Sequence, residues 1–343
     1  MFRFVFFLIL SICISSFEAM AFEFKKIDKI YSTLGKNHSL DTDFKKISLV
    51  GIESLNGYDK NYRVYCSNSK VYLYHKNKLI KDFNLPYNNN DSLAWKNTIN
   101  DVLMTFCTHS KNIIGKEKKV ELQVINKIAK NIDKYSRIEK KISRNNKIDY
   151  EFFDGIVYIK AKSFYDGLAN DINRIVNSLS DINGLILDFR NNIGGNFNES
   201  LRVSDLFLDN ALITYSVENG STNYYTSQKG DILDGKKIVI LVNHNTASAA
   251  EIVAGALGEQ TRATIVGTRT FGKGSVQSVY SLENSNLYIT SGYTYTPSGK
   301  RIDESGIVPQ ICTGISDSCV TSDNKDAFKD VLMAIKLIKN NLA

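Results

Sequence analysis

Two short, nearly unbroken apolar runs, each ending in a loop of small residues that opens a helical pattern, restrict this chain to few folds. Residues 185–189 lead into Arg190-Asn191-Asn192-Ile193-Gly194-Gly195. Residues 238–242 lead through Asn243-His244-Asn245-Thr246-Ala247-Ser248 into a helix rich in Ala and Gly. Strands of this kind are buried on both faces, because almost nothing polar alternates along them. Helices must cover those faces, so the expected class is α/β, built in layers. Ile156–Lys160 reads as a further strand, and Leu168, Ile172, Ile175, Val176 and Leu179 share one helix face. Near the C-terminus Phe328, Val331, Leu332, Ile335 and Ile338 keep helical spacing and predict a closing helix.

The texture before residue 147 is different. Tyr62–Cys66, Lys70–His75 and residues 78–83 alternate as short strands. Asp91 and Ser92 offer an N-cap to a helix with Trp95, Ile99, Val102, Leu103 and Phe106 on one face. A second helix carries Leu122, Ile125, Ala129 and Ile132. The expected division is a mixed helix/strand cap over residues 22–146 and a core over 147–343. Residues 1–21 read as a secretory signal peptide, with Arg3, an apolar stretch over 4–14 and a small-x-small site at Ala19-Met20-Ala21. The apolar stretch is too short for a comfortable span. The expectation is an exported protein, periplasmic or secreted after cleavage near Ala21, with no integral membrane span.

Cys66, Cys107, Cys312 and Cys319 follow that site, an even count suited to two disulfides in an oxidising compartment. Cys312 and Cys319 make the better pair, which leaves Cys66 with Cys107. The formal charge of +7 comes from scattered lysines. No Arg-rich arm or aromatic–basic interleaving marks a nucleic-acid surface, so the charge reads as solvated. No Cys/His spacing suits zinc, and no metal or cofactor is implied.

Ser248 falls where a buried strand turns into a helix, at the end of the sheet where α/β folds place their sites. Unpaired N–H groups at a helix start can stabilise an oxyanion. Alone, such a serine reads as an N-cap. Lys273 lies between glycines in Phe271-Gly272-Lys273-Gly274-Ser275-Val276-Gln277. Burial would lower its pKa and let a neutral amine act as general base. The tract alone also fits a surface lysine in a hairpin turn, whereas a phosphate cradle would need different spacing.

Taken together, these segments resemble the C-terminal processing peptidases, the tail-specific protease family of S41-type Ser/Lys enzymes. The matching tracts are residues 187–195, Thr246-Ala247-Ser248-Ala249-Ala250-Glu251-Ile252, residues 271–277, Tyr295-Thr296-Pro297-Ser298-Gly299-Lys300 and Gly306-Ile307-Val308-Pro309. They occur in the family's order. The resemblance implies a crotonase/ClpP-like ββα core, Ser248 as nucleophile and Lys273 as base, 25 residues apart as in the family. It further implies that Gln277 orients the lysine amine. The Gly194-Gly195 turn and the amide of Ala249 would form the oxyanion hole. Asp188 and Arg190 read as a structural ion pair, and His244 lacks an orienting acid that would make it the base.

Asp133-Lys134-Tyr135-Ser136-Arg137 resembles the family's segment ahead of its PDZ domain. The core pattern resumes at Asp149, and the 12 positions from Arg137 to Asp149 are too few for a domain of roughly 50 residues. The PDZ domain is therefore expected to be absent. The expected function is an exported serine endopeptidase acting on extended polypeptides. Its rivals are a non-catalytic binding protein on the same fold and a protease inactive without a partner. The sequence does not fix an adaptor or an oligomer.

Overall fold

The computed structural model describes residues 23–340 apart from 37–41, 111, 141–147, 219, 229, 283–284, 315–318 and 320–326. The candidate signal peptide lies outside the described residues. The chain forms two compact units that divide between Lys134 and Tyr135.

The first unit holds α1 (Lys25–Leu34), α2 (Phe44–Glu53), β1 (Tyr62–Cys66), β2 (Lys70–His75), β3 (Lys78–Asn84), α3 (Ser92–His109) and α4 (Glu117–Ala129). The three strands form an antiparallel sheet in chain order. Asp91 caps α3, its side chain accepting from the Ala94 amide at 2.9 Å. Trp95, Ile99, Val102, Leu103 and Phe106 are fully buried, as their 3.6-residue spacing requires. Buried Glu121 accepts from the amides of Lys26 and Ile27 at the start of α1. Cys66 and Cys107 are free thiols, which corrects the expected pairing. Cys66 ends β1 opposite Val71, while Cys107 lies on the buried face of α3. Burial pushes both thiols up to about 12.

The second unit contains β4 (Arg137–Lys140), β5 (Asp149–Phe153), β6 (Ile156–Lys160), α5 (Leu168–Asn177), β7 (Gly184–Asp188), α6 (Phe197–Asp205), β8 (Leu212–Glu218) and β9 (Ser221–Thr226). After these come β10 (Lys237–Val242), α7 (Ala249–Glu259), β11 (Ala263–Gly267), β12 (Ser275–Leu282), β13 (Ser285–Tyr295), β14 (Ile311–Cys312) and α8 (Ala327–Lys339). It starts twelve residues ahead of the boundary expected at 147, because β4 pairs with β13. A six-stranded sheet runs β14-β11-β10-β7-β6-β5, with β5 antiparallel to β6 and the other neighbours parallel. A second sheet runs β12-β13-β8-β9.

Every residue of β7 is buried. Leu185, Leu187, Ile238, Ile240 and Val242 face a core shared with α5, α6 and α7. Ile186, Val239 and Leu241, at the alternate positions, face Ala334 and Ile338 of α8. The continuous apolar runs are thus explained by helices on both faces. The docking face of α8 centres on Ala334 and Ile338, while Phe328 and Leu332 are exposed. A disulfide joins Cys312 to Cys319 across a sequence separation of 7, and a loop so short contributes about 2–3 kcal/mol at most.

Candidate active site

β7, β10 and β11 are neighbours in the sheet and run in the same direction. Their carboxyl ends therefore deliver three successive loops to one place. β7 supplies Gly194-Gly195, β10 supplies Ser248, and β11 leads through residues 268–272 to Lys273. Asparagine side chains join the first two loops. Asn191 N–H donates to Asn243 Oδ1 at 2.9 Å, and Asn243 Nδ2 returns a bond to Asn191 Oδ1 at 3.0 Å. Behind them, the Arg190 guanidinium bonds both oxygens of fully buried Asp188 and reaches Asp330 of α8 at 3.1 Å. Tyr158 donates to the same Asp188 at 2.6 Å. These groups anchor the loop.

Ser248 is the N-cap of α7 and has φ 58 and ψ −120. A positive φ at a non-glycine residue costs about 1–3 kcal/mol and persists only where its surroundings over-determine it. Here they do. The Ser248 amide donates to Glu251 Oε2 at 2.8 Å, the carboxylate half of a capping box. On the other side Gly194, at φ +92, packs so close that a Cβ would lie 2.7 Å from both Ser248 Cβ and Ala247 O. Only glycine fits there.

Asn192 fixes the glycine turn. Its side chain accepts from Gly194 N at 2.9 Å and donates to Ala161 O at 2.8 Å, while its carbonyl accepts from Ala247 N at 2.9 Å. The Gly194 amide is therefore committed. Among the described residues no hydrogen bond engages the amides of Gly195 and Ala249, and Gly195 is exposed. Those two N–H groups flank the serine turn and are free to receive an anion.

Lys273 is half-buried, and its Nζ lies 5.7 Å from the Tyr135 ring centroid. Burial lowers its pKa from the ordinary lysine value, aided by the positive charge of Arg137 and opposed by Glu139 and Glu251. Burial, with Asp303 nearby, pushes the Tyr135 phenol up to about 12, so it stays neutral. Among the described residues no hydrogen bond joins Lys273 Nζ to Ser248 Oγ. The two residues are linked through Glu251, whose Oε2 also accepts the Lys273 amide at 2.8 Å.

The structure does not bring Gln277 into a bond with Lys273. The β12–β13 register shifts between Val276 and Gln277, and Gln277 Nε2 donates to Thr290 Oγ1 at 2.8 Å and to Ser275 Oγ at 3.3 Å. Its Oε1 is buried without a hydrogen-bond partner among the described residues. Thr246 Oγ1 donates to Phe189 O at 2.8 Å and is structural. His244 is exposed. Sequence reasoning assigned no role to Glu251 or Asn192. The Ser-x-x-Glu spacing from Ser248 to Glu251 was the available signal for the first.

Fold and site together define an α/β protein with a strained serine at a strand–helix turn and a lysine on the loop from the adjacent strand. Residues 155–313 match the model of Peptidase family S41. The carboxy-terminal-processing protease of Bartonella bacilliformis is 35% identical over 184 residues, covering 51% of this chain and 42% of that protein. Carboxyl-terminal-processing peptidase 3 of Arabidopsis thaliana is 39% identical over 168 residues, covering 47% and 32%. CtpA of Bacillus subtilis, a carboxy-terminal processing protease, is 35% identical over 164 residues, covering 46% and 35%. The chain thus spans less than half the length of each. Among solved structures, a photosystem II D1 C-terminal processing protease is 31% identical with a TM-score of 0.42, covering 46% of this chain and 42% of that one.

Proposed function

We propose that this protein is an exported serine endopeptidase that cleaves extended polypeptides through an acyl-enzyme. The observation that carries the reading is the single oxygen of Glu251 holding the amides of both Ser248 and Lys273. Neutral Lys273 takes the Ser248 proton as Oγ attacks the scissile carbonyl, then returns it to the leaving amine. The amides of Gly195 and Ala249 receive the oxyanion, and water then hydrolyses the ester. Gln277 Oε1, buried without a partner among the described residues, suits acceptance of a lysine N–H once substrate settles the amine. The match to S41 peptidases, whose named relatives process carboxyl termini, supports the same chemistry. Export rests on the pattern of residues 1–21. No helix among the described residues is long and apolar enough to cross a membrane.

Substrate would pair with β12, which starts two residues after Lys273 and pairs only with β13 among the described residues. Strand addition reads backbone and does not require a chain end. Only residues 141–148 connect β4 to β5, which leaves no room there for a carboxylate-binding domain. One unfolded peptide, supplied with a free or an amidated C-terminus, should be cut internally at rates within about twofold of each other. A charged contact to the carboxylate is worth about 1.5–3 kcal/mol, more than tenfold in rate. A loss of that size on amidation would contradict the substrate reading.

A further inference from the structure

We propose that Glu251 is a positioning residue, whose carboxylate locks the serine turn and the lysine turn in one register so that the two side chains meet. The proposal rests on the peptidase reading. An ordinary capping-box glutamate is solvated and serves its own helix. Glu251 is fully buried, and only one of its four donors, the Ser248 amide, caps its own helix. The others are Thr270 Oγ1 at 2.5 Å, the Gly272 amide at 2.7 Å and the Lys273 amide at 2.8 Å. Oε2 takes the amides of Ser248 and Lys273 together, so those backbone nitrogens stand within twice 2.8 Å of each other. No other group described at this site touches both.

The second turn has little freedom to find this place unaided. A Cβ on Gly272 would lie 3.0 Å from the Glu304 carbonyl carbon, and one on Gly274 would lie 2.3 Å from the Asp303 amide. Thr270 Oγ1 also accepts from the Ile307 amide at 2.7 Å, which extends the carboxylate's hold to the Gly306-Ile307 segment. All four partners are donors, so the site requires an acceptor at both oxygens. A glutamine of nearly equal volume would turn its NH2 against two of them.

The carboxylate also acts on the lysine's charge. Burial pushes the Glu251 carboxyl above the usual range, while its four donors pull it back. Its negative charge, with that of Glu139, favours the Lys273 ammonium, against burial and Arg137. Tyr135, over the amine, is neutral, and Asp303 and Glu304 lie beside Tyr135. Removing the Glu251 charge therefore lowers the lysine pKa further. Activity needs the neutral amine, so the acid limb of the kcat/KM profile moves to lower pH. Loss of packing alone would not move it.

The test compares the full chain with its Glu251→Gln and Thr270→Val variants on one peptide, reading kcat, KM, the pH profile and cooperative melting. Glu251→Gln should lower kcat about 10²-fold, the cost of a roughly 1 Å misplacement. KM should stay within about threefold and the acid limb should move downward. Thr270→Val, which removes one donor, should lower kcat about tenfold. A folded Glu251→Gln protein with kcat within about threefold of the parent and an unmoved limb would overturn the proposal. If that variant does not melt cooperatively, Thr270→Val decides, and kcat within about twofold of the parent overturns it. If the parent neither hydrolyses peptide nor reacts with a serine-directed phosphonate at Ser248, the peptidase reading falls and this proposal with it.

Discussion

Replacing Ser248 or Lys273 with alanine is expected to abolish peptide hydrolysis while both proteins melt like the parent. The serine is half-buried at the end of a strand–helix turn whose backbone is held by Glu251 and Gly194. The lysine amine makes no hydrogen bond or ion pair among the described residues, so removing it leaves no group orphaned there. Loss of a general base costs about 10²–10⁴-fold, and loss of the nucleophile at least as much. For the parent, activity should rise with pH through the lowered pKa of Lys273, because the proposed chemistry needs the neutral amine to accept the serine proton. Hydrolysis retained by purified Lys273→Ala would contradict the assignment and direct attention to His244. Steady-state kinetics with a fluorogenic peptide makes the comparison.

Gly194→Ala should be nearly as damaging without touching a reacting group. Gly194 has φ +92, where an L side chain is strained, and its new methyl would meet Ser248 Cβ and Ala247 O at 2.7 Å. Backbone strain of this kind costs about 1–3 kcal/mol. The chain must then open the gap between the glycine turn and the serine turn. That displaces the Gly195 amide from its proposed place at the oxyanion, and losing one such donor costs about 10²–10³ in kcat. The expected result is kcat down at least about 10²-fold, with a lower melting temperature and a smaller change in KM. A variant within about threefold of the parent would show that the glycine turn does not seat against the nucleophile.

What the sequence disclosed, and what it concealed, follows from the range of each interaction. Residues 185–189 and 238–242 announce buried strands because burial on two faces leaves no polar alternation, and the structure covers them with α5–α7 on one side and α8 on the other. Ser248 and Lys273 stood out because each sits among small residues that shape a turn. The partnership of Glu251 with Thr270, Gly272 and Lys273 depends on a chain reversal some twenty residues further on. No local spacing displays that reversal. The strand Arg137–Lys140 has no alternation of its own and exists because β13 offers an edge, which is why the second unit begins earlier than composition suggested. Phe328 and Leu332 keep helical spacing with Ile338 but point outward, because α8 approaches the sheet through Ala334 and the gap above Gly184, where a Cβ would meet Ile338 at 2.6 Å.

The proposed chemistry requires one serine made nucleophilic by one lysine, and covalent labelling tests that directly. The full chain is treated with a fluorophosphonate, digested, and the adduct located by mass spectrometry, with Ser248→Ala and Lys273→Ala treated in parallel. A single adduct on Ser248, absent from the first variant and formed at least about 10²-fold more slowly in the second, is the result expected when general-base assistance is lost. An adduct on Ser275 or Thr246, or labelling of Ser248 at the parent's rate without Lys273, would contradict it.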